Sequence, residues 1–441
     1  MRKQLTIFCL CLLGFGSLIA QDGRIEFEEY NLSNGMHVIL HQDNSTPIVA
    51  ISVLYHVGSK DEDPKRTGFA HFFEHLMFEG TEHIGRGDYM KIVQGAGGEL
   101  NANTSFDRTY YYEVLPSNQL ELGLWMESER LLHAKIDSVG VETQRAVVKE
   151  ERSQRIDNQP YGSVLEEVSK RAFVEHPYRW TPIGSRQYID QATIEEFQAF
   201  YEKFYVPNNA TLTIAGDIDI ANAKALVKKY FGSINKGGDK IPRTTIVEPQ
   251  KTEEVRDVIY DNVQLPAVIH AYHSPGQGSD DYYAMSLLST LLTGGESSRL
   301  TKNIVDKKQL AIFTGAFPFP SEDPGLTYIF AVANMGIAPE KLEEAIDLEI
   351  EKVQNELISE KEYEKLLNQV ESQWVSQKSS MVGIAELLAN YYVYYGDANL
   401  INSEINRYKK VTREDIRRVA KKYMKTTNRV ALYYVAKTGK E

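Results

Sequence analysis

A chain of 441 residues is too long for one hydrophobic core, so two or more domains are expected. A net charge of −12, with no basic stripe, excludes a nucleic-acid binder, because the phosphate backbone would repel it. Both cysteines, Cys9 and Cys11, fall within residues 1–20, so the rest of the chain has no disulfide and no thiolate, and any metal must be held by imidazole and carboxylate.

Residues 1–20 read as a secretory signal peptide. Arg2 and Lys3 give a positive start, an apolar run follows at 5–14, and the cut falls near Ala20. Gly14, Gly16 and Ser17 interrupt that run, which is short for a membrane span. The expectation is a secreted, periplasmic protein. Next, Ser33-Asn34-Gly35 reads as a turn between two strands, and Pro47 opens a β-prone run over 48–55. A polar loop at 58–66 leads into a helix containing His71, Glu74 and His75. Positions i, i+3 and i+4 share one helix face. Two imidazoles one turn apart can bind one zinc ion, and the carboxylate between them can move a proton. Phe72 and Phe73 turn toward a core.

Residues 83–97 read as a short helix, 99–116 as β structure, and 119–134 and 139–155 as helices. In the last of these, Glu151 shares a face with Gln144, Val147 and Val148. A carboxylate aimed where apolar residues point needs a partner, and a metal is one. Glu150 lies about 100° round the wheel and reads as a solvated neighbour. Asn158 to Gly162 break the pattern, and a further helix ends near Phe173. Thr193 with Glu196 forms a capping box ahead of another helix. A strand at 210–215, a helix at 218–231 and a linker at 237–253 follow. His176, His270 and His273 read as ordinary core or surface residues, and Tyr391 to Tyr395 as an aromatic core segment.

The chain repeats itself. Thr193-x-Glu195-x-Phe197 with Lys203, Phe204 and Asn209 recurs as Thr412-x-Glu414-x-Ile416 with Lys422, Tyr423 and Asn428. At the same offset, Pro47 and its β run match Pro266. The expected architecture is α+β: two homologous α/β sandwich domains in tandem, each a sheet covered by helices. The boundaries are a metal-binding domain over 21–236, the linker 237–253, and a repeat domain over 254–441. Aligning Gly80 with Gly294 sets Met285, Leu288 and Ser289 opposite His71, Glu74 and His75, so the second copy keeps the helix and lacks the ligands.

His71-x-x-Glu74-His75 has the inverzincin form H-x-x-E-H. The chain resembles the pitrilysin and mitochondrial processing peptidase family, in its bacterial two-domain type, over nearly all residues past the leader. The resemblance implies a zinc metalloendopeptidase with one Zn2+ per chain on His71, His75 and Glu151. Glu74 would be the general base on the zinc-activated water. Extended peptides or small unfolded proteins would be cut in a closed chamber. Gln144 stands where the family often has a glutamate supporting the ligands. Gly98 to Ser105 matches the family's substrate-binding edge strand and places Asn101 and Ala102 against substrate. One departure is that Val305 and Ile312 occupy the positions of an Arg/Tyr pair that many members carry. The family closes as a clamshell of four domains, so a two-domain chain is half of one. It is expected to dimerise, with itself or as a heterodimer with a metal-less sister subunit carrying the Arg/Tyr pair. Two rival readings are a non-catalytic structural or binding subunit and a dedicated maturation peptidase.

Overall fold

Two mixed sheets organise the computed structural model, which describes residues 23–437. The expected signal segment lies outside the described residues, and no described helix is long and apolar enough to cross a membrane. The Ser33-Asn34-Gly35 turn joins β1 (Glu28–Asn31) to β2 (His37–Gln42), with Gly35 in the left-handed region that a side chain would disfavour. β3 (Ile48–Tyr55), β4 (Glu99–Thr104), β5 (Thr109–Pro116) and β6 (Ala210–Gly216) complete the first sheet. Its order is β1-β2-β6-β3-β5-β4, with β2 and β6 parallel and the other pairs antiparallel. β3 and β6 are buried almost throughout, as strands covered on both faces must be.

The second sheet contains β7 (Val255–Asp261), β8 (Ala267–Ser274), β9 (Ala311–Pro318), β10 (Gly325–Ala333) and β11 (Arg429–Ala436). Its order, β7-β11-β8-β10-β9, repeats β2-β6-β3-β5-β4, including one parallel pair in the same place. The repeat extends to side chains. Helices Ile194–Phe204 and Arg413–Tyr423 both start with a capping box, from Thr193 and Thr412. Asn209 donates to the carbonyl of Phe204 at 2.8 Å, and Asn428 to that of Tyr423 at 2.7 Å.

Each half also covers the other's sheet. Helix Met381–Tyr395, from the second half, lies against the first sheet, packing Ile384, Ala385 and Leu388 on Ile39, Ala50 and Ala215. In return, helix Val164–Ala172 packs Val168 and Ala172 against Ile269, Leu326 and Leu432 of the second sheet. Between Phe231 and Val255 there is no helix or strand, yet the segment is strapped down. Glu248 accepts backbone N–H bonds from Val174 and His176, each at 2.8 Å, and Arg243 donates to the carbonyl of His56 at 2.6 Å.

Two expected helices differ. Of residues 83–97 only Tyr89–Gly95 is helical. Ahead of it, Thr81 bridges Ala134 and its hydroxyl accepts N–H bonds from His83 and Ile84, which closes a turn instead. The helix expected over 139–155 is Ser138–Arg152, continued by a π-helical turn at Ser153–Asp157.

Candidate active site

Helix Phe69–Leu76 begins at Gly68, whose φ of 100° only glycine adopts without strain. The Glu62 carboxylate accepts the N–H groups of Gly68 at 2.9 Å and Ala70 at 2.8 Å, so two donors at the helix start are satisfied. Burial nonetheless pushes the Glu62 carboxyl well above its ordinary range. On the inner face, Phe69 and Phe72 each stack on Phe197 at 4.5 Å, and Phe73 stacks on Phe200 at 5.2 Å. Each buried ring contributes about 1.5–3 kcal/mol. That burial fixes the helix rotation, and the helical period then turns His71, Glu74 and His75 the other way.

Glu151 reaches them from helix Ser138–Arg152, whose start is capped by Asp137 accepting the Gly140 N–H at 2.8 Å. His71 Nε2 and His75 Nε2 are 3.4 Å apart, and Glu151 Oε2 lies 3.4 Å from the first and 3.1 Å from the second. Bonds of 2.0–2.1 Å to a tetrahedral zinc would set ligand atoms about 3.4 Å apart. The three residues therefore fit zinc as they stand. Hydrogen bonding from His71 and then His75 holds the Glu151 carboxyl far below the usual carboxylate range. Its other oxygen is 2.7 Å from Arg155, so one oxygen is left to offer. Glu150 faces water and bonds Gln154 at 2.8 Å, as its place on the wheel predicts.

Glu74 is held by Thr104, whose hydroxyl donates to Glu74 Oε2 at 2.6 Å. Thr104 ends β4, the outermost strand of its sheet, which among the described residues pairs only with β5. Asn101 and Ala102 lie on the same strand. The Ala102 N–H donates to Asn101 Oδ1 at 2.9 Å, a local cap that an added strand would displace.

Gln144 is placed differently from the expectation. Its amide donates to Glu79, which Arg86 also binds, and not to a ligand residue. The group that contacts Glu151 from behind is Arg155. Val305 is partly buried against the second core, and Ile312 is 55% exposed on β9. Met285, Leu288 and Ser289 are buried in the second half, and no metal-holding group lies on their helix among the described residues. Sequence reasoning singled out none of Glu62, Thr104, Glu79 and Arg155, although Thr104 lies in the matched segment Gly98 to Ser105 and Arg155 on the expected helix of Glu151. Glu62 and Glu79 act from loops and Thr104 from a strand whose path only the fold sets, whereas Arg155 stands four residues past Glu151, a spacing the helical period provides.

The family model "Insulinase (Peptidase family M16)" matches residues 37–183, and "Peptidase M16 inactive domain" matches 191–370. A zinc protease of Helicobacter pylori, PqqE, is 31% identical over 436 residues, covering 98% of each chain. The solved structure of a protease from Helicobacter pylori aligns with a TM-score of 0.89 at 30% identity, over 93% of this chain and all of that one. The periplasmic protease PqqL from Escherichia coli shares the fold, with a TM-score of 0.76 at 18% identity, over 93% of this chain and 48% of that one.

Proposed function

The chain belongs to peptidase family M16, and from that membership we propose that it is a zinc metalloendopeptidase acting on extended peptides or small unfolded proteins. One observation carries the proposal: three ligand atoms from His71, His75 and Glu151 converge at zinc spacing, with the Glu74 carboxylate on the same helix face. Zinc held there supplies a Lewis acid that acidifies water and polarises a carbonyl. The protein's own residues do the rest. Glu74 takes a proton from the attacking water and delivers it to the leaving amine nitrogen. Thr104 holds Oε2 of Glu74 in one orientation and leaves Oε1 to carry that proton. The free edge of β4 takes the peptide as an added strand, so recognition runs through backbone hydrogen bonds and tolerates many side chains.

In this reading residues 21–236 form the metal-bearing domain, 237–253 the connection, and 254–441 a wall of the chamber. The match to about half of the PqqL chain supports a two-domain chain that pairs to close, as a homodimer or with a sister subunit that brings the Arg/Tyr pair. The leader-like residues 1–20 and the periplasmic PqqL support secretion. The retained ligand set and base speak against a non-catalytic subunit.

Chelation tests the proposal. Stripping the purified protein of metal should abolish cleavage of an unstructured peptide mixture, and zinc should restore it. Cleavage that survives complete chelation would refute it.

A further inference from the structure

A second group of metal-ligating side chains lies outside this site. Just past the motif helix, the segment Gly80 to Ile84 runs alongside the end of helix Leu120–His133. The two are pinned by one antiparallel β-bridge, which is made of two backbone hydrogen bonds. Thr81 bridges Ala134 as the Glu82 N–H donates to the His133 carbonyl at 3.1 Å and the Lys135 N–H donates to that of Gly80 at 3.0 Å. That pinning brings together Glu82, His83 and His133, with one ligand atom of each lying within 4.8 Å of the others. His133 Nδ1 is 3.2 Å from Glu82 Oε2, and the two imidazole rings stand 5.4 Å apart at 83°.

A supporting layer is also built. Glu129, nearly buried, accepts the Thr81 hydroxyl at 2.8 Å and bonds His83 Nδ1 at 3.0 Å. A carboxylate on one ring nitrogen fixes the tautomer and leaves the other nitrogen's lone pair free, the arrangement found behind metal-bound histidines. Thr81 is itself locked by accepting the N–H groups of His83 and Ile84. Glu82 is exposed, so rotation of its side chain can bring its carboxylate to the spacing one ion requires while Glu129 holds His83.

We propose that Glu82, His83 and His133 form a second, solvent-facing metal site, with Glu129 as the residue that positions His83. Two imidazoles and one carboxylate suit a divalent first-row transition ion of the zinc class and disfavour magnesium and calcium. The inference does not depend on the proposed peptidase activity, because its readout is metal binding.

Cobalt(II) is the probe. The full-length chain, stripped of metal, is titrated and followed by visible absorption and bound-metal analysis. The wild type should take two equivalents and His83→Ala/His133→Ala one. His71→Ala/His75→Ala should keep one equivalent, displaced by zinc and not by excess magnesium. Glu129→Gln should weaken the second equivalent about 10–100-fold without removing it. Circular dichroism checks that each variant is folded. No bound metal in folded His71→Ala/His75→Ala, or a stoichiometry in His83→Ala/His133→Ala unchanged from the wild type, would overturn the proposal and leave a hydrogen-bonded surface cluster. The second comparison needs no change at the first site, so misfolding of His71→Ala/His75→Ala would not blunt it.

Discussion

At the scale of single residues, what could be foreseen was what is local. His71, Glu74 and His75 lie within one and a half turns, so their shared face follows from helical geometry alone. Glu151 was reachable because an acid on an apolar face needs a partner, and the family resemblance gave the same position. Thr104 was not foreseeable, since only the sheet brings it to Glu74. Its role gives a sharp expectation. A hydrogen bond to a charged group contributes about 1.5–3 kcal/mol, so Thr104→Val should lower kcat roughly tenfold or more, with zinc content and KM little changed. Thr104→Ser should recover most of the loss. Were Thr104→Val to lose zinc instead, Thr104 would be holding the metal site and not the base. Glu151→Gln should lose zinc on dialysis, while Glu150→Gln should keep it, as bound-metal analysis of the pair would reveal.

Among the elements, β4 is the one whose exposure matters. An outer strand leaves unpaired backbone groups that another chain can meet. Ala102→Pro removes the N–H that Asn101 now caps, and proline is tolerated at a sheet edge. The variant should raise KM for extended peptides several-fold, with thermal stability nearly kept and zinc retained. An unchanged KM would mean that peptides do not add to this edge. The repeat of strand order was legible because capping boxes and β runs recur at one offset. The exchange of covering helices was not. Periodicity marks the apolar face of Met381–Tyr395 but not the sheet that it covers, because both sheets offer similar aliphatic surfaces.

Over the whole molecule, the halves meet at a knot of charge. Buried Lys60 of the first half is 2.9 Å from Asp107, 2.5 Å from Glu322 and 3.1 Å from Asp323 of the second, and His56 bonds Glu322 at 2.9 Å. Burial alone would raise the Glu322 carboxyl, but His56 and Lys60 outweigh it and hold it down from 4.5 to about 2. A carboxyl lowered on folding stabilises fully above its unfolded value, and that contribution is lost as pH falls from about 4.5 toward 2. Glu322→Gln should therefore cost about 2 kcal/mol at pH 7 and much less near pH 2. Thermal melts of the variant and wild type across that range should converge, and a constant gap would remove Glu322 from the account.

The central claim is that Glu74 moves the proton while three other side chains hold the zinc. Wild type and Glu74→Gln, purified side by side, should carry equal zinc, and the variant should cleave a mixed peptide set at least about a hundredfold more slowly. Equal cleavage by both proteins, with equal zinc, would contradict it.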